Sequence, residues 1–221
     1  MKKAFPFFLT LFFCGCQELK PFNHSIPHNN KKLEQEFKNK LNNLYPTNFL
    51  LTQRLIIKTN NLENTLSSYL LIKNKNNITA MATMGIGGTL FKIDSSPNKD
   101  IISKNLTRWP KDILINGILR DIKLIYTQPF TEKYQLALQK HGTYSLMRDD
   151  KDKHCEIIFN NNTKNPTKLI LSQNKCIIYE IHFSQYNTLK GHNHPIPTNI
   201  KITDHTKNYQ VIINNYQIEV H

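Results

Sequence analysis

Apolar residues change their spacing along the chain, and each change marks a different kind of element. In KKLEQEFKNKLNNLYP, Leu33, Phe37, Leu41 and Leu44 follow one another at steps of four, four and three, and Pro46 stops the run. That stripe predicts one amphipathic helix laid against a sheet. The spacing then drops to two. QRLIIKT, SSYLLIKN, ITAMATM and GTLFKID are short β-favouring runs between Asn-rich or Gly-rich breaks, and in the last of them Phe91 and Ile93 alternate with Lys92 and Asp94. They predict an antiparallel meander. The alternation breaks at RWPKDILINGILRDIKLIY, where Pro110 suits a first helical turn and Ile113, Leu114, Ile118, Leu119, Ile122 and Ile125 share one side. This second helix has the broader apolar face and is expected to be buried.

TEKYQLALQ reads as a short helix capped by Thr131. After it, TYSLMRD, HCEIIFNN, TKLILSQ, KCIIYEIHF, TNIKITDH and YQVIINNYQIEV return to strand spacing, with Ile177, Tyr179, Ile181 and Phe183 opposite Glu180 and His182. About ten strands with two or three helices describe a mainly β, α+β chain. A sheet of roughly eight to eleven strands curls and can enclose a lipid-sized space. The predicted fold is therefore a curved antiparallel sheet forming an incomplete β-barrel with a covering helix.

The first residues, MKKAFPFFLTLFFCGCQE, obey neither period. Two lysines and an apolar run too short to cross a bilayer, which takes roughly 20 residues, have the proportions of an export signal. The closing Gly15-Cys16 resembles the lipobox of bacterial lipoproteins, although Phe13 and Cys14 stand where that pattern usually has a leucine-like and a small residue. The resemblance implies acylation of Cys16, and the absence of Asp at Gln17 implies delivery to the outer membrane. The expected organisation is a signal over 1–15, a proline-punctuated tether over 16–30 and a single domain over 31–221.

Composition alters this picture little. The net charge of +13 admits nucleic acid, anionic lipid or an acidic protein as partner. Export, lysines scattered among asparagines (KNKNN, NNNTKN) and the lack of a nucleic-acid motif leave a solvated basic surface first and anionic headgroups second. With Cys14 and Cys16 assigned to the signal and the lipid, Cys155 and Cys176 form a candidate disulfide in a compartment that permits one. A meander would put a whole strand between them. Two strand spacings of roughly 4.8 Å exceed disulfide reach unless the sheet curls, so the pairing stays open.

The order of elements, helix, meander, proline-started helix and second meander, resembles the LolB-like outer-membrane lipoprotein superfamily and its relatives associated with aryl-polyene clusters. The likeness runs from about Arg54 to Val220. Its most informative stretch is TMGIGGTLF, Thr83 to Phe91. In the superfamily an apolar residue at this loop's tip projects from a half-open barrel and helps pass acylated cargo to the membrane. The resemblance puts Ile86 at that tip and Gly85, Gly87 and Gly88 in the flexible turn around it, with Gly85 where the family tends to have proline. It also implies that Leu114, Ile118 and Ile122 of the second helix, with Phe91, Tyr179, Ile181 and Phe183 from the strands, line an acyl cavity. Core packing is the alternative for the helix residues and Phe91; for Tyr179, Ile181 and Phe183 it is the first reading and cavity lining the alternative.

Enzyme signatures are missing: there is no GxSxG, HExxH, CxxC or P-loop. His192 and His194 in GHNHP lack a placed third ligand, and Asp149, Asp150 and Asp152 in MRDDKDKH lack EF-hand spacing, so neither a metal nor another cofactor is expected. The chain is expected to be a monomeric, lipid-anchored outer-membrane protein facing the periplasm of a Gram-negative bacterium. The resemblance implies that it receives an acylated lipoprotein or another lipid from a LolA-like periplasmic carrier and delivers it to the inner leaflet of the outer membrane. Two alternatives remain: a carrier of a polyene or glycolipid, and an envelope adaptor with a filled core.

Overall fold

The computed structural model of the chain describes residues 26–59, 62–83, 88–107, 109–127, 133–139, 141–190 and 192–220. The first helix, α1 (Lys31–Asn42), begins where the Asn30 side chain accepts from the Leu33 amide at 3.0 Å, satisfying a donor the first turn leaves free. Its apolar stripe packs inward: Phe37 and Leu41 are buried, as are Leu44 and Tyr45 just beyond it.

Strands β1 (Ile26–Pro27), β2 (Phe49–Thr59), β3 (Leu62–Lys73), β4 (Asn77–Thr83), β5 (Thr89–Ser96) and β6 (Lys99–Asn105) precede the second helix. Strands β7 (Gln135–Leu138), β8 (Tyr144–Asp150), β9 (Lys153–Phe159), β10 (Pro166–Gln173), β11 (Cys176–Asn187), β12 (Ile196–Asp204) and β13 (Tyr209–Val220) follow it. All pair antiparallel in one sheet, in the order β1-β7-β8-β9-β10-β11-β12-β13-β2-β3-β4-β5-β6. The two meanders join along β13 and β2, where Ile213 faces Leu55 and Val220 faces Phe49. The sheet curves without closing, leaving β1 and β6 as its edges. This is the mainly β, incomplete-barrel architecture that the spacing predicts.

Three elements depart from the sequence reading. KDIISKN forms β6, whose side chains are mostly exposed, so an edge strand with little buried surface carries no clean alternation to detect. TEKYQLALQ supplies β7 and not a helix. Tyr134 and Leu136 are buried while Gln135 is exposed, which is strand periodicity compressed into too few residues to outweigh helix propensity. Thr131 lies outside the described residues. The chain also reaches the sheet early, since Ile26 and Pro27 pair with Leu138 and Ala137 and the His28 amide donates to the Leu136 carbonyl at 2.9 Å.

The second helix, α2, spans 111–127, between β6 and β7 in the chain. It alternates an α-turn (Lys111–Ile113), a π-helical stretch (Leu114–Leu119), an α-turn (Arg120–Ile122) and a second π-helical stretch (Lys123–Thr127). Leu114, Leu119, Ile125 and Tyr126 sink into the same core as Phe49 and Ile93 from one meander and Ile181 and Ile202 from the other. Each such burial stabilises the fold by about 1.5–3 kcal/mol. The helix thus fills the concave side of the sheet.

Candidate functional site

The filling is incomplete at the C-terminal end of α2. A largely enclosed cavity of about 210 Å³ lies among Leu41 in the last turn of α1, Leu44 and Tyr45 just after it, Leu124 and Ile125 on α2, and Ile157, Leu169 and Phe183 on the sheet. A more open groove of about 670 Å³ lies beside it, bounded by Ile78, Leu171 and the α2 residues Ile115, Leu119 and Leu124, with Asp100, Arg120 and Lys123 among its polar wall. Lys75, Leu124 and Thr127 border both spaces. They form the neck between them.

Lys75 reaches the neck from the turn between β3 and β4, where Asn74 and Lys75 both take positive φ, +53° and +56°. The segment after α1 staples that turn: the Asn48 side chain accepts from the Asn74 amide at 2.8 Å and the Thr47 carbonyl from the Lys75 amide at 3.3 Å. The Lys75 ammonium donates to the Asn42 carbonyl at 2.5 Å, at the negative end of α1. Burial lowers its pKa below the ordinary lysine value. On the cavity wall Tyr45 is buried, and among the described residues its hydroxyl has no hydrogen-bond partner. Burial raises the pKa of that phenol well above its usual value, so it stays a neutral donor.

The middle of α2 has the opposite electrostatics. The Arg120 guanidinium donates to Asp121 at 2.7 and 2.9 Å, to Asp204 at 3.2 Å and to the Tyr209 hydroxyl at 3.1 Å. The Tyr209 hydroxyl in turn donates to the other Asp121 oxygen at 2.8 Å. Arg120 also sits over the Tyr179 ring, 4.7 Å from its centre. Burial raises the pKa of Asp121. Burial pushes Asp204 the same way, but hydrogen bonds from Thr206, Lys207 and Arg120 outweigh it and hold the carboxyl below its ordinary value. Nearby, Gln53 donates to both Tyr126 and Asn215 at 2.7 Å, and Asn215 donates to the Pro197 carbonyl at 3.0 Å. These bonds tie α2 to β2, β11 and the β12–β13 hairpin.

Of the seven residues expected to line a cavity, Phe183 borders the enclosed one. Phe91, Leu114, Tyr179 and Ile181 are buried in the common core, and Ile118 and Ile122 are half-buried against it. On α2 the two cavities described here are bordered instead by Ile115, Leu119, Leu124 and Ile125. The π-helical turns explain the change of face, because an i→i+5 step rotates the residues after it relative to the α-helical period assumed from sequence. Cys155 and Cys176 are both free. Strand β10 lies between them, with Leu171 beside Cys155 and Gln173 beside Cys176, so the curl does not bring them together.

Gly88 is exposed, while Cys16, Gly85, Ile86 and Gly87 lie outside the described residues. His192 has a ring nitrogen 3.2 Å from the Leu44 carbonyl, and Asp149 and Asp152 bond to His154 and Gln173 around the β8–β9 turn. Sequence reasoning missed Tyr45 and Lys75. Lys75 sits in KNKNN, where composition suggests only a solvated surface, and its place at the neck depends on a contact with the distant α1.

These features define a class: an unclosed antiparallel barrel with an internal helix and a small apolar space beneath it. Solved structures share the architecture. A LolA superfamily protein from Nitrosomonas europaea is similar with a TM-score of 0.55 at 13% identity, over 85% of this chain and 93% of that one. A DUF1329 family protein from Desulfovibrio piger gives 0.54 at 9% identity, over 86% and 92%. A domain from Vibrio parahaemolyticus named for outer membrane lipoprotein sorting gives 0.51 at 10% identity, over 86% and 91%. At these identities the likeness establishes the fold. Among curated proteins none matches the sequence. Residues 50–217 match the model of a family described as protein of unknown function, DUF3261, and the chain belongs to that family.

Proposed function

We propose that this protein is an envelope lipid carrier, anchored through an acylated Cys16 to the outer membrane and facing the periplasm, which holds an acyl chain beneath α2 and passes it to the bilayer. The observation that carries the reading is the apolar cavity between α2, the end of α1 and the sheet, in a fold shared with a lipoprotein-sorting domain. An acyl chain gains about 0.8 kcal/mol for each methylene removed from water, whether in protein or in bilayer, so uptake and release need no bond chemistry. Ile86 is proposed to lead the release step, since the sequence sets an apolar residue among glycines there and a membrane is a natural contact for such a tip. The cargo is an acylated lipoprotein or another lipid, handed over by a LolA-like periplasmic carrier.

The test uses the full chain embedded in liposomes and a labelled lipoprotein loaded on such a carrier. Transfer above that to protein-free liposomes, lost in Ile86→Glu with the circular dichroism unchanged, supports the reading. No transfer to a folded protein removes the lipoprotein as cargo and directs attention to the lipids that co-purify with it.

A further inference from the structure

The two polar groups left over at the cavity are of one kind. Tyr45 and Lys75 are both donors, both border the enclosed apolar space, and neither meets an acidic group among the described residues. A buried hydroxyl without an acceptor is held at a penalty, and so is a half-buried cation without a counter-ion. Two other half-buried cations on this helix side show what satisfaction looks like: Arg120 has two carboxylates, and Lys123 lies 3.2 Å from Asp100. Among the described residues Lys75 has only a backbone carbonyl, and it stands where the enclosed cavity opens into the groove. A pocket that is apolar apart from a few placed donors selects a ligand with a hydrocarbon body and oxygen acceptors at one end.

We infer that the site takes a single-chain acidic amphiphile: the chain end occupies the 210 Å³ cavity, Lys75 pairs with an anionic carboxylate or phosphate head at the neck, and the Tyr45 hydroxyl donates to the head oxygen nearest the chain. The inference rests on the carrier reading above and narrows its ligand. The cavity volume agrees with the end of one chain, being somewhat larger than the cavity of about 150 Å³ that admits a benzene ring. The wider groove leaves room for the rest of the head.

The test measures binding to the full chain held in a non-ionic amphipol at pH 8. The probes are a fluorescent dodecanoic acid and its methyl ester, and dodecyl phosphate is the competitor. A charge-assisted hydrogen bond is worth roughly tenfold or more in affinity, so the acid binds at least about tenfold tighter than the ester. Lys75→Gln abolishes that difference while leaving ester binding in place, and Lys75→Arg, which keeps the charge and the contact with α1, retains it. Tyr45→Phe weakens acid and ester alike by about fivefold. Displacement by dodecyl phosphate at lower concentration than by dodecanoate assigns the head to a phosphate, and the reverse assigns it to a carboxylate. Equal binding of acid and ester, or a folded Lys75→Gln that still prefers the acid, overturns the head-group assignment and leaves the carrier reading standing. Failure of both probes to bind overturns the carrier reading, and the head-group assignment falls with it.

Discussion

The two ends of α2 meet the sheet by different means. Around Arg120 every buried charge has a partner from another element, and the one hydroxyl left over, that of Tyr179, belongs to the ring under the guanidinium; around Leu124, among the described residues, an apolar cavity borders a lysine without a carboxylate and a tyrosine hydroxyl without an acceptor. The contrast separates what holds the helix from what the helix holds. Completed polar networks fix geometry, because breaking one leaves a charge in a poor solvent. Incomplete ones on a cavity wall mark where a ligand can supply the missing atoms.

The strongest way to break this comparison is to remove the clamp. Arg120→Met leaves Asp121 and Asp204 buried without their cation, and the loss expected in denaturant unfolding is about 3–5 kcal/mol. A loss below about 1 kcal/mol would mean that apolar packing alone seats α2. Tyr126→Phe deprives Gln53 of one of its two acceptors and should cost about 1–3 kcal/mol by the same measurement. Phe183→Trp acts at the other end: by filling the cavity it should lower acyl uptake about tenfold, with stability altered by no more than about 1–3 kcal/mol.

The clamp also has a pH signature. The folded pKa of Asp204 is depressed, so its contribution is fully present above the unfolded carboxylate value of about 3.9 and is lost as pH falls through the lower folded value. Asp121, whose pKa burial raises, works in the opposite sense and gains on acidification. Asp204→Asn should therefore lose less further stability than the native chain when thermal unfolding is followed from pH 5 down to pH 3. The smallest expected effect is none: with Cys155 and Cys176 both free, a reductant should leave the melting temperature unchanged.

Legibility from sequence followed the same division. The strands with one buried face were readable, since Phe91 and Ile93 or Tyr179, Ile181 and Phe183 alternate with polar neighbours and a period of two has no rival there. The edge strand β6 was not, having little buried face to produce a pattern. Helix α2 was readable as a helix, but the face it turns to the cavities was not, because its π-helical stretches break the period on which that reading depended. The apolar part of the site was visible as Phe183. Its polar part was hidden, because Lys75 and Tyr45 acquire their significance only when the β3–β4 turn meets the end of α1.

The most direct measurement is photo-crosslinking of the full chain with a fatty acid carrying a diazirine at its chain end, followed by peptide mapping. An acyl chain held beneath α2 predicts adducts in the peptides containing Leu41–Tyr45, Leu124–Thr127 and Phe183, lost in Phe183→Trp. Adducts confined to the convex face of the sheet, or none with a folded protein, would contradict it.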